Sequence, residues 1–191
     1  MRKTVLAIAR SAGRRTTPPA LAILVLLAGA AAQAQEPPGG RRGTGLPVPR
    51  YVSLKTDRVN LREGPSKDHR TAWVFQRAGL PVEIVAEYET WRRIRDAEGT
   101  EGWVLHSLLS GRRTALVMPW AKDGAPPIPL VERGEERSEV LARLQPGVVV
   151  NVKQCSGAWC RIMVVMDGAR DLDGYIRQDR LWGVYPDERF E

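Results

Sequence analysis

Short runs of β-branched and aromatic residues alternate with turn-forming residues along residues 51–191. The turn-forming residues recur every 8–12 positions, which is typical of small all-β units. Glu135–Leu144 has partial helical spacing, but it aligns with a strand-like stretch earlier in the chain, so we predict a loop followed by a strand. The other predicted strands include Thr71–Phe75, Pro81–Ala86, Trp91–Arg95, Val148–Val152 and Ile162–Val165.

The same pattern occurs twice with nearly constant spacing. In each copy a glycine precedes a tryptophan by 12 residues, and a second glycine precedes a leucine by 7 residues. These residues are Gly79, Trp91, Gly102 and Leu109 in the first copy and Gly147, Trp159, Gly174 and Leu181 in the second. Such self-similarity indicates one supersecondary unit used twice. We therefore predict an all-β protein with two tandem small barrels, at residues 51–117 and 118–191.

The first 34 residues have the pattern of a signal peptide. Basic residues precede a 13-residue apolar run, Ala20–Ala32, and the small residues Ala32 and Ala34 favour cleavage before Gln35. The alternative is an uncleaved segment that anchors the protein in the membrane. Residues 35–50, rich in Pro, Gly and Arg, are predicted to be a disordered linker. We expect an exported protein, periplasmic or extracellular, that touches the membrane only through an uncleaved signal segment.

Removal of the signal peptide changes the charge of the protein. The whole chain has 29 basic and 22 acidic residues, a net charge of +7. Residues 1–34 hold five of the bases and no acid, so the remaining chain has 24 bases against 22 acids and a net charge of +2. A balance this close to neutral is not the electrostatic signature of a nucleic-acid-binding protein, and we expect no nucleic-acid partner.

The chain has two cysteines, Cys155 and Cys160. If Gly157-Ala158 forms a two-residue hairpin turn, the two cysteines face each other at a distance that suits a disulfide. The oxidising compartment implied by export would close this bond. Glu87 and Arg92 hold the matching positions in the first copy, where we expect an ion pair. The spacing does not favour a redox pair or a metal site, because it is not C-x-x-C and no further Cys or His accompanies it.

The residues Asn60–Ser66 and the Gly102-Trp103-Val104 motif, with a glycine before a Val/Ile strand and a tryptophan that opens the next strand, resemble the bacterial SH3-like domain family. The resemblance extends to the second copy, in which Tyr175 replaces Trp103. It implies a five-stranded, partly open barrel. It also implies extracytoplasmic binding, often to peptidoglycan or to envelope proteins, without catalysis.

Aromatic and charged residues beside the predicted hairpins are the candidate ligand surface. In the first copy these residues are Tyr88, Glu89, Trp91 and Arg93, and in the second copy the residue is Trp159. The tryptophans could stack on a sugar ring or anchor a peptide, or they could close the ends of the barrels as part of the core. Trp182 and Tyr185 are expected to close the second barrel or to cover the interface between the barrels.

The sequence offers no catalytic or metal-binding constellation, and we expect neither an enzyme nor a cofactor. His106 and Ser107 are adjacent, so on an extended chain their side chains point apart and cannot act as a nucleophile and its base. Two functions remain open. One is a cell-wall-binding module that binds peptidoglycan glycan or peptide. The other is an envelope adaptor that binds a protein through an exposed apolar patch or a free strand edge.

Overall fold

The computed structural model describes residues 43–166 and 168–191, which form strands and two single-turn 3-10 helices, His106–Leu108 and Gln178–Arg180. The predicted signal peptide and residues 35–42 of the predicted linker lie outside the described residues. No helix in the described part of the chain is long and apolar enough to span a membrane. The strands of the first repeat are β1 (Arg50–Leu54), β2 (Val59–Arg62), β3 (Thr71–Phe75), β4 (Pro81–Tyr88), β5 (Trp91–Arg95), β6 (Glu101–Leu105) and β7 (Leu109–Ser110). Those that follow are β8 (Thr114–Val117), β9 (Ile128–Val131), β10 (Val140–Leu144), β11 (Val149–Ser156), β12 (Trp159–Val164), β13 (Leu172–Arg177), β14 (Leu181–Trp182) and β15 (Arg189–Phe190).

The two repeats have the same topology. The first sheet has the strand order β3-β2-β6-β5-β4-β1-β7, and the second has β10-β9-β13-β12-β11-β8-β14, with β15 added on β11. Each strand of the second sheet lies seven places along the chain from its counterpart in the first. The predicted all-β fold built from two equivalent units is confirmed. Thr114–Val117 pairs with β11 and β14, so these last residues of the predicted first unit belong to the second sheet.

Each repeat buries its own apolar core because buried and exposed positions alternate along the strands. On β2, Val59 and Leu61 are buried while Asn60 faces solvent, and β9 repeats this with Ile128 and Leu130 around Pro129. The first core contains Leu54, Val59, Leu61, Phe75, Val82, Ile84, Ile94 and Val104. The second contains Ala115, Val117, Ile128, Leu130, Leu144, Val150, Val152, Cys155, Cys160, Ile162, Val164, Ile176, Leu181 and Val184.

The second glycine of the repeated pattern marks a close contact between strands. A Cβ atom on Gly102 would lie 2.6 Å from Leu61 Cγ, and one on Gly174 would lie 2.8 Å from the Val131 carbonyl oxygen. Both distances are far inside van der Waals contact, so the close approach of β6 to β2, and of β13 to β9, requires glycine. The second glycine of the pattern therefore marks the position of this close approach in each repeat.

The tips of the β4–β5 and β11–β12 hairpins are held in two different ways. Cys155 and Cys160 are directly opposed and form a disulfide with a Cα–Cα distance of 4.1 Å, as predicted. Glu87 and Arg92 are opposed in the same way in the first repeat, and Arg92 Nε lies 3.2 Å from Glu87 Oε1. Both side chains of this ion pair are buried. One repeat thus has a buried ion pair where the other has a covalent bond.

Aromatic residues join the two repeats. The ring of Tyr51 on β1 lies 5.2 Å from that of Trp182 on β14, edge to face, and 4.7 Å from that of Tyr185. The Tyr185 hydroxyl donates a hydrogen bond of 2.8 Å to Glu83 on β4, whose carboxylate also accepts a bond from Arg95. Of the two predicted roles for Trp182 and Tyr185, the structure therefore supports covering the interface between the repeats.

Candidate functional site

A groove next to Trp91 lies at one end of the first repeat. It has a volume of about 260 Å³ and is bounded by β2, the loop after β2, the start of β5 and the first 3-10 helix. We name it the Trp91 groove. Its lining residues are Arg58, Asn60, Arg62, Lys67, Trp91, Leu105 and Leu108.

The second repeat has a groove in the equivalent place, with a volume of about 410 Å³. Trp159 lies there at the position of Trp91, so we name it the Trp159 groove. Because Ile128 matches Val59, the positions of Arg58, Asn60 and Arg62 are taken by residues without charge. These replacements are Pro127, Pro129 and Val131. The two grooves therefore share a location and differ in where their cations lie: the Trp91 groove has Arg58 and Arg62 at these positions, whereas the Trp159 groove has uncharged residues there and takes Arg177 and Arg180 from β13 and the second 3-10 helix.

The fold turns Trp91 inward. It opens β5 opposite Tyr88 on β4 and Leu105 on β6, and its side chain is only 7% exposed. Trp91 thus forms the floor of the groove and contributes to the core. A ring so buried cannot present a whole face to a sugar.

Three other predicted site residues lie outside the Trp91 groove. Tyr88 is 40% exposed and packs edge-on against Trp103, with 6.5 Å between ring centroids. Arg93 forms an ion pair of 2.8 Å with Glu101 on the neighbouring strand. Glu89 lies in the hairpin turn with a φ of 49°, and its carbonyl oxygen accepts a hydrogen bond from Arg92. These residues form a surface beside the groove, and their contact with a ligand stays a prediction.

The Trp159 side chain is half-buried in the second repeat, at the start of β12. The Arg177 guanidinium lies 5.5 Å from the centre of the indole ring and also forms an ion pair of 2.6 Å with Glu136. Gly134, in the loop between β9 and β10, comes close enough that a Cβ there would lie 3.2 Å from the Trp159 side chain. The sequence placed Trp91 and Trp159 in one candidate set, and the structure places them in separate grooves of separate repeats.

The cations of the Trp91 groove were missed by the sequence analysis. Arg58 and Lys67 are exposed and Arg62 is half-buried, with its guanidinium donating a hydrogen bond of 2.7 Å to the His69 carbonyl oxygen. Among the described residues, none of these three cations forms an ion pair. The sequence did contain a signal for two of these cations. Arg58 and Arg62 alternate with the buried Val59 and Leu61, and this period-2 pattern places the two arginines on the same outer face of β2.

The cations of the Trp91 groove have the charge that suits an anionic ligand. Three cations, a buried tryptophan and the Asn60 amide suit a ligand that has carboxylates and hydrogen-bonding amides. Over residues 43–166 and 168–191, no group of three or more His, Cys, Asp or Glu side chains could hold a metal ion.

Comparison with known proteins agrees with the repeated architecture. A family model described as "Bacterial SH3 domain" matches residues 55–111 and, a second time, residues 125–183. The chain therefore belongs to the bacterial SH3 domain family, and the resemblance noted in the sequence is confirmed. None of the curated proteins matches the chain.

Two solved structures are similar to the chain, NlpC2 and NlpC1 from Trichomonas vaginalis. The match to NlpC2 covers 70% of this chain at 13% identity with a TM-score of 0.31. The match to NlpC1 covers 73% at 13% identity, also with a TM-score of 0.31. The chain spans about half the length of these structures, 48% and 47%.

Proposed function

We propose that the protein is an exported, non-catalytic binding module of the bacterial envelope that binds peptidoglycan through the Trp91 groove. The observation that carries this proposal is the set of three cations, Arg58, Arg62 and Lys67, that line one groove and form no ion pair within the described residues. Peptidoglycan stem peptides bear carboxylates and amides, and Arg and Lys bind carboxylates through charge-assisted hydrogen bonds. The role is binding alone, in keeping with a family of binding domains.

The disulfide supports export. Disulfides persist in oxidising compartments and are rare in the cytosol, and Cys155–Cys160 closes a surface hairpin. Together with the signal-peptide pattern of residues 1–34, the bond favours the periplasm or the extracellular space. There the Trp91 groove has access to the cell wall.

A second candidate function, binding of an envelope protein, is favoured by one observation. Strand β10 lies at the edge of the second sheet, and Val140 and Leu141 on it are each 45% exposed. An edge strand with exposed apolar side chains can accept a strand from a partner. This adaptor would use the second repeat and would not need the cations of the first.

Co-sedimentation of the purified protein with isolated peptidoglycan tests the proposal. The wild type should sediment with the wall, and the double variant Arg58→Ala/Arg62→Ala should remain in the supernatant. The matched control is Arg143→Ala/Lys153→Ala, which removes two exposed cations from the second repeat and should sediment like the wild type. The proposal is wrong if the wild type does not sediment, or if both double variants behave alike.

A further inference from the structure

A large cavity lies at the junction of the two repeats. It has a volume of about 720 Å³. Trp73 and Phe75 of β3 line one side, the turn between β5 and β6 lines another, and Leu116 of β8 comes from the second repeat. A second cavity of about 460 Å³ shares Ala97, Glu98 and Leu116 with the first and continues along the loop after β8. We name the two together the junction groove.

Trp73 lines this groove and is not part of the core of the first repeat. Its side chain is 58% exposed on an edge strand, so it contributes little to the core. The matching residue of the second repeat is Ala142, since Thr71 matches Val140 in the pairing of each edge strand with its neighbour. The repeat therefore folds without an aromatic residue here. An exposed indole on a groove is the usual platform for a flat ligand with an apolar face.

The polar groups around Trp73 are uncharged or acidic. The Asp96 carboxylate accepts hydrogen bonds from the backbone N–H groups of Glu98 and Thr100, at 3.0 and 2.8 Å, and so fixes the turn. Within the described residues the Glu98 carboxylate has no hydrogen-bond or ion-pair partner. No Lys or Arg is among the described residues that line the 720 Å³ cavity. This end of the groove thus disfavours an anion and offers acceptors to hydroxyl and amide donors.

The junction groove is held in shape by contacts between the repeats. Tyr185 hydrogen-bonds Glu83, and Arg77 of the first repeat donates a bond of 3.3 Å to the Gly147 carbonyl oxygen of the second. Gly147 itself lines the 460 Å³ cavity. A groove formed before the ligand arrives needs no costly ordering on binding.

We infer that the junction groove binds the glycan backbone of peptidoglycan, an uncharged strand of N-acetylated sugars. Trp73 stacks on the apolar face of one pyranose ring, and the Glu98 carboxylate and Thr100 hydroxyl bond the hydroxyl and acetamide groups of that sugar or its neighbour. The inference rests on the proposed function. It assigns the two chemical parts of peptidoglycan, the charged stem peptide and the neutral glycan, to two different grooves. The carboxylates of the stem peptide occupy the cationic Trp91 groove, and the neutral glycan occupies the groove that lacks cations at its Trp73 end.

Titration with chitohexaose, a soluble oligomer of N-acetylglucosamine without peptide, tests the inference. Binding to the purified protein is followed by tryptophan fluorescence and by calorimetry. Trp73→Ala should weaken binding about fivefold, which corresponds to the loss of an aromatic stack of about 1 kcal/mol. The matched control is Trp120→Ala, which removes another exposed tryptophan, 54% accessible and outside the junction groove, and should leave binding unchanged.

Each result of this titration supports or overturns the inference. No binding of chitohexaose, or equal binding by wild type and Trp73→Ala, overturns it. Displacement of chitohexaose by a cationic or proline-rich peptide that binds more tightly at Trp73 also overturns it and makes the groove a peptide site. The proposed function is tested separately: sedimentation with intact peptidoglycan that depends on Arg58 and Arg62 can persist when chitohexaose fails to bind.

Discussion

The hydroxyl of Tyr185 donates a hydrogen bond to the buried carboxylate of Glu83, 2.8 Å away, and so joins the end of the second repeat to β4 of the first. Burial raises the pKa of Tyr185, and the bond to Glu83 raises it further. Burial, assisted by the charge of Glu83, raises the pKa of the neighbouring Tyr51 to about 12. Both hydroxyls therefore remain protonated at neutral pH, and the bond from Tyr185 is always available.

Replacement of Tyr185 by Phe should destabilise the protein. A hydrogen bond to a charged, buried acceptor contributes about 1.5–3 kcal/mol, and Tyr185→Phe should lower the free energy of unfolding in urea by about that amount. The control is Tyr175→Phe, because no hydrogen bond from the Tyr175 hydroxyl is found within the described residues. Equal, small losses in the two variants would contradict a role of this bond in joining the repeats.

The buried carboxylate of Glu87 should make the first repeat sensitive to acid. Burial alone would raise the pKa of Glu87, but hydrogen bonds from Arg50 and Thr44 outweigh it, and the pKa lies below the ordinary value of 4.5. A carboxyl whose pKa is lower in the folded state contributes stability that is complete above the unfolded pKa and is lost as pH falls through the folded pKa. The free energy of unfolding should therefore fall as pH decreases below 4.5.

The variant Glu87→Gln tests this pH dependence. It should be less stable than the wild type at neutral pH, and it should lose less stability on acidification, because the titrating group is gone. Urea unfolding at a series of pH values measures both effects. Glu139→Gln, which changes an exposed glutamate, should keep the wild-type pH profile. An unchanged profile in Glu87→Gln would show that other groups cause the acid sensitivity.

Reduction of the disulfide should weaken the second repeat selectively. A cross-link that closes so short a loop stabilises by about 2 kcal/mol in the chain-entropy model. Amide hydrogen exchange, measured peptide by peptide with and without reductant, should show faster exchange around Cys155 and Cys160 and little change around Glu87 and Arg92. The variant Cys155→Ser/Cys160→Ser should exchange like the reduced protein in both conditions. Two free thiols in the exported protein would contradict the bond.

The glycine of the Gly-Trp-Val motif should not tolerate a methyl group. Gly102→Ala places a Cβ 2.6 Å from Leu61 Cγ and 2.9 Å from the Arg62 carbonyl oxygen. Such overpacking typically costs about 1–3 kcal/mol, which thermal or urea unfolding will measure. The control Gly111→Ala adds the same methyl group where no atom lies within 4 Å, and it should be neutral.

The repeats and the hairpin pairing could be predicted from sequence because they follow from local signals. The period-2 alternation on β2 and the two-residue turn at Gly157-Ala158 fix register within neighbouring residues. The place of β8 was harder to predict. Thr114–Val117 joins the second sheet through partners 33–66 residues away, Val149 and Leu181 among them. The spacing of residues along the chain does not reveal such partners.

The site was only partly predictable. Trp91 and Trp159 stand out as repeated tryptophans, but their burial depends on loops that pack over them. Lys67 becomes a neighbour of Trp91 only when the loop after β2 folds back, and Arg58 becomes one only when β2 pairs with β6 beside β5. The exposure of Trp73 on a groove depends on how the second repeat is placed against the first, which no pattern within one repeat encodes.

The central claim, that the Trp91 groove binds the peptide part of peptidoglycan, is tested most directly by NMR. The chain has six tryptophans, so the indole N–H signals provide reporters at both grooves and at the control site Trp120. Titration with a soluble muropeptide should shift the Trp91 signal and leave Trp120 unchanged, and Arg58→Ala/Arg62→Ala should abolish the Trp91 shift. A muropeptide that binds without moving the Trp91 signal, or a Trp91 shift that survives loss of both arginines, would contradict the account.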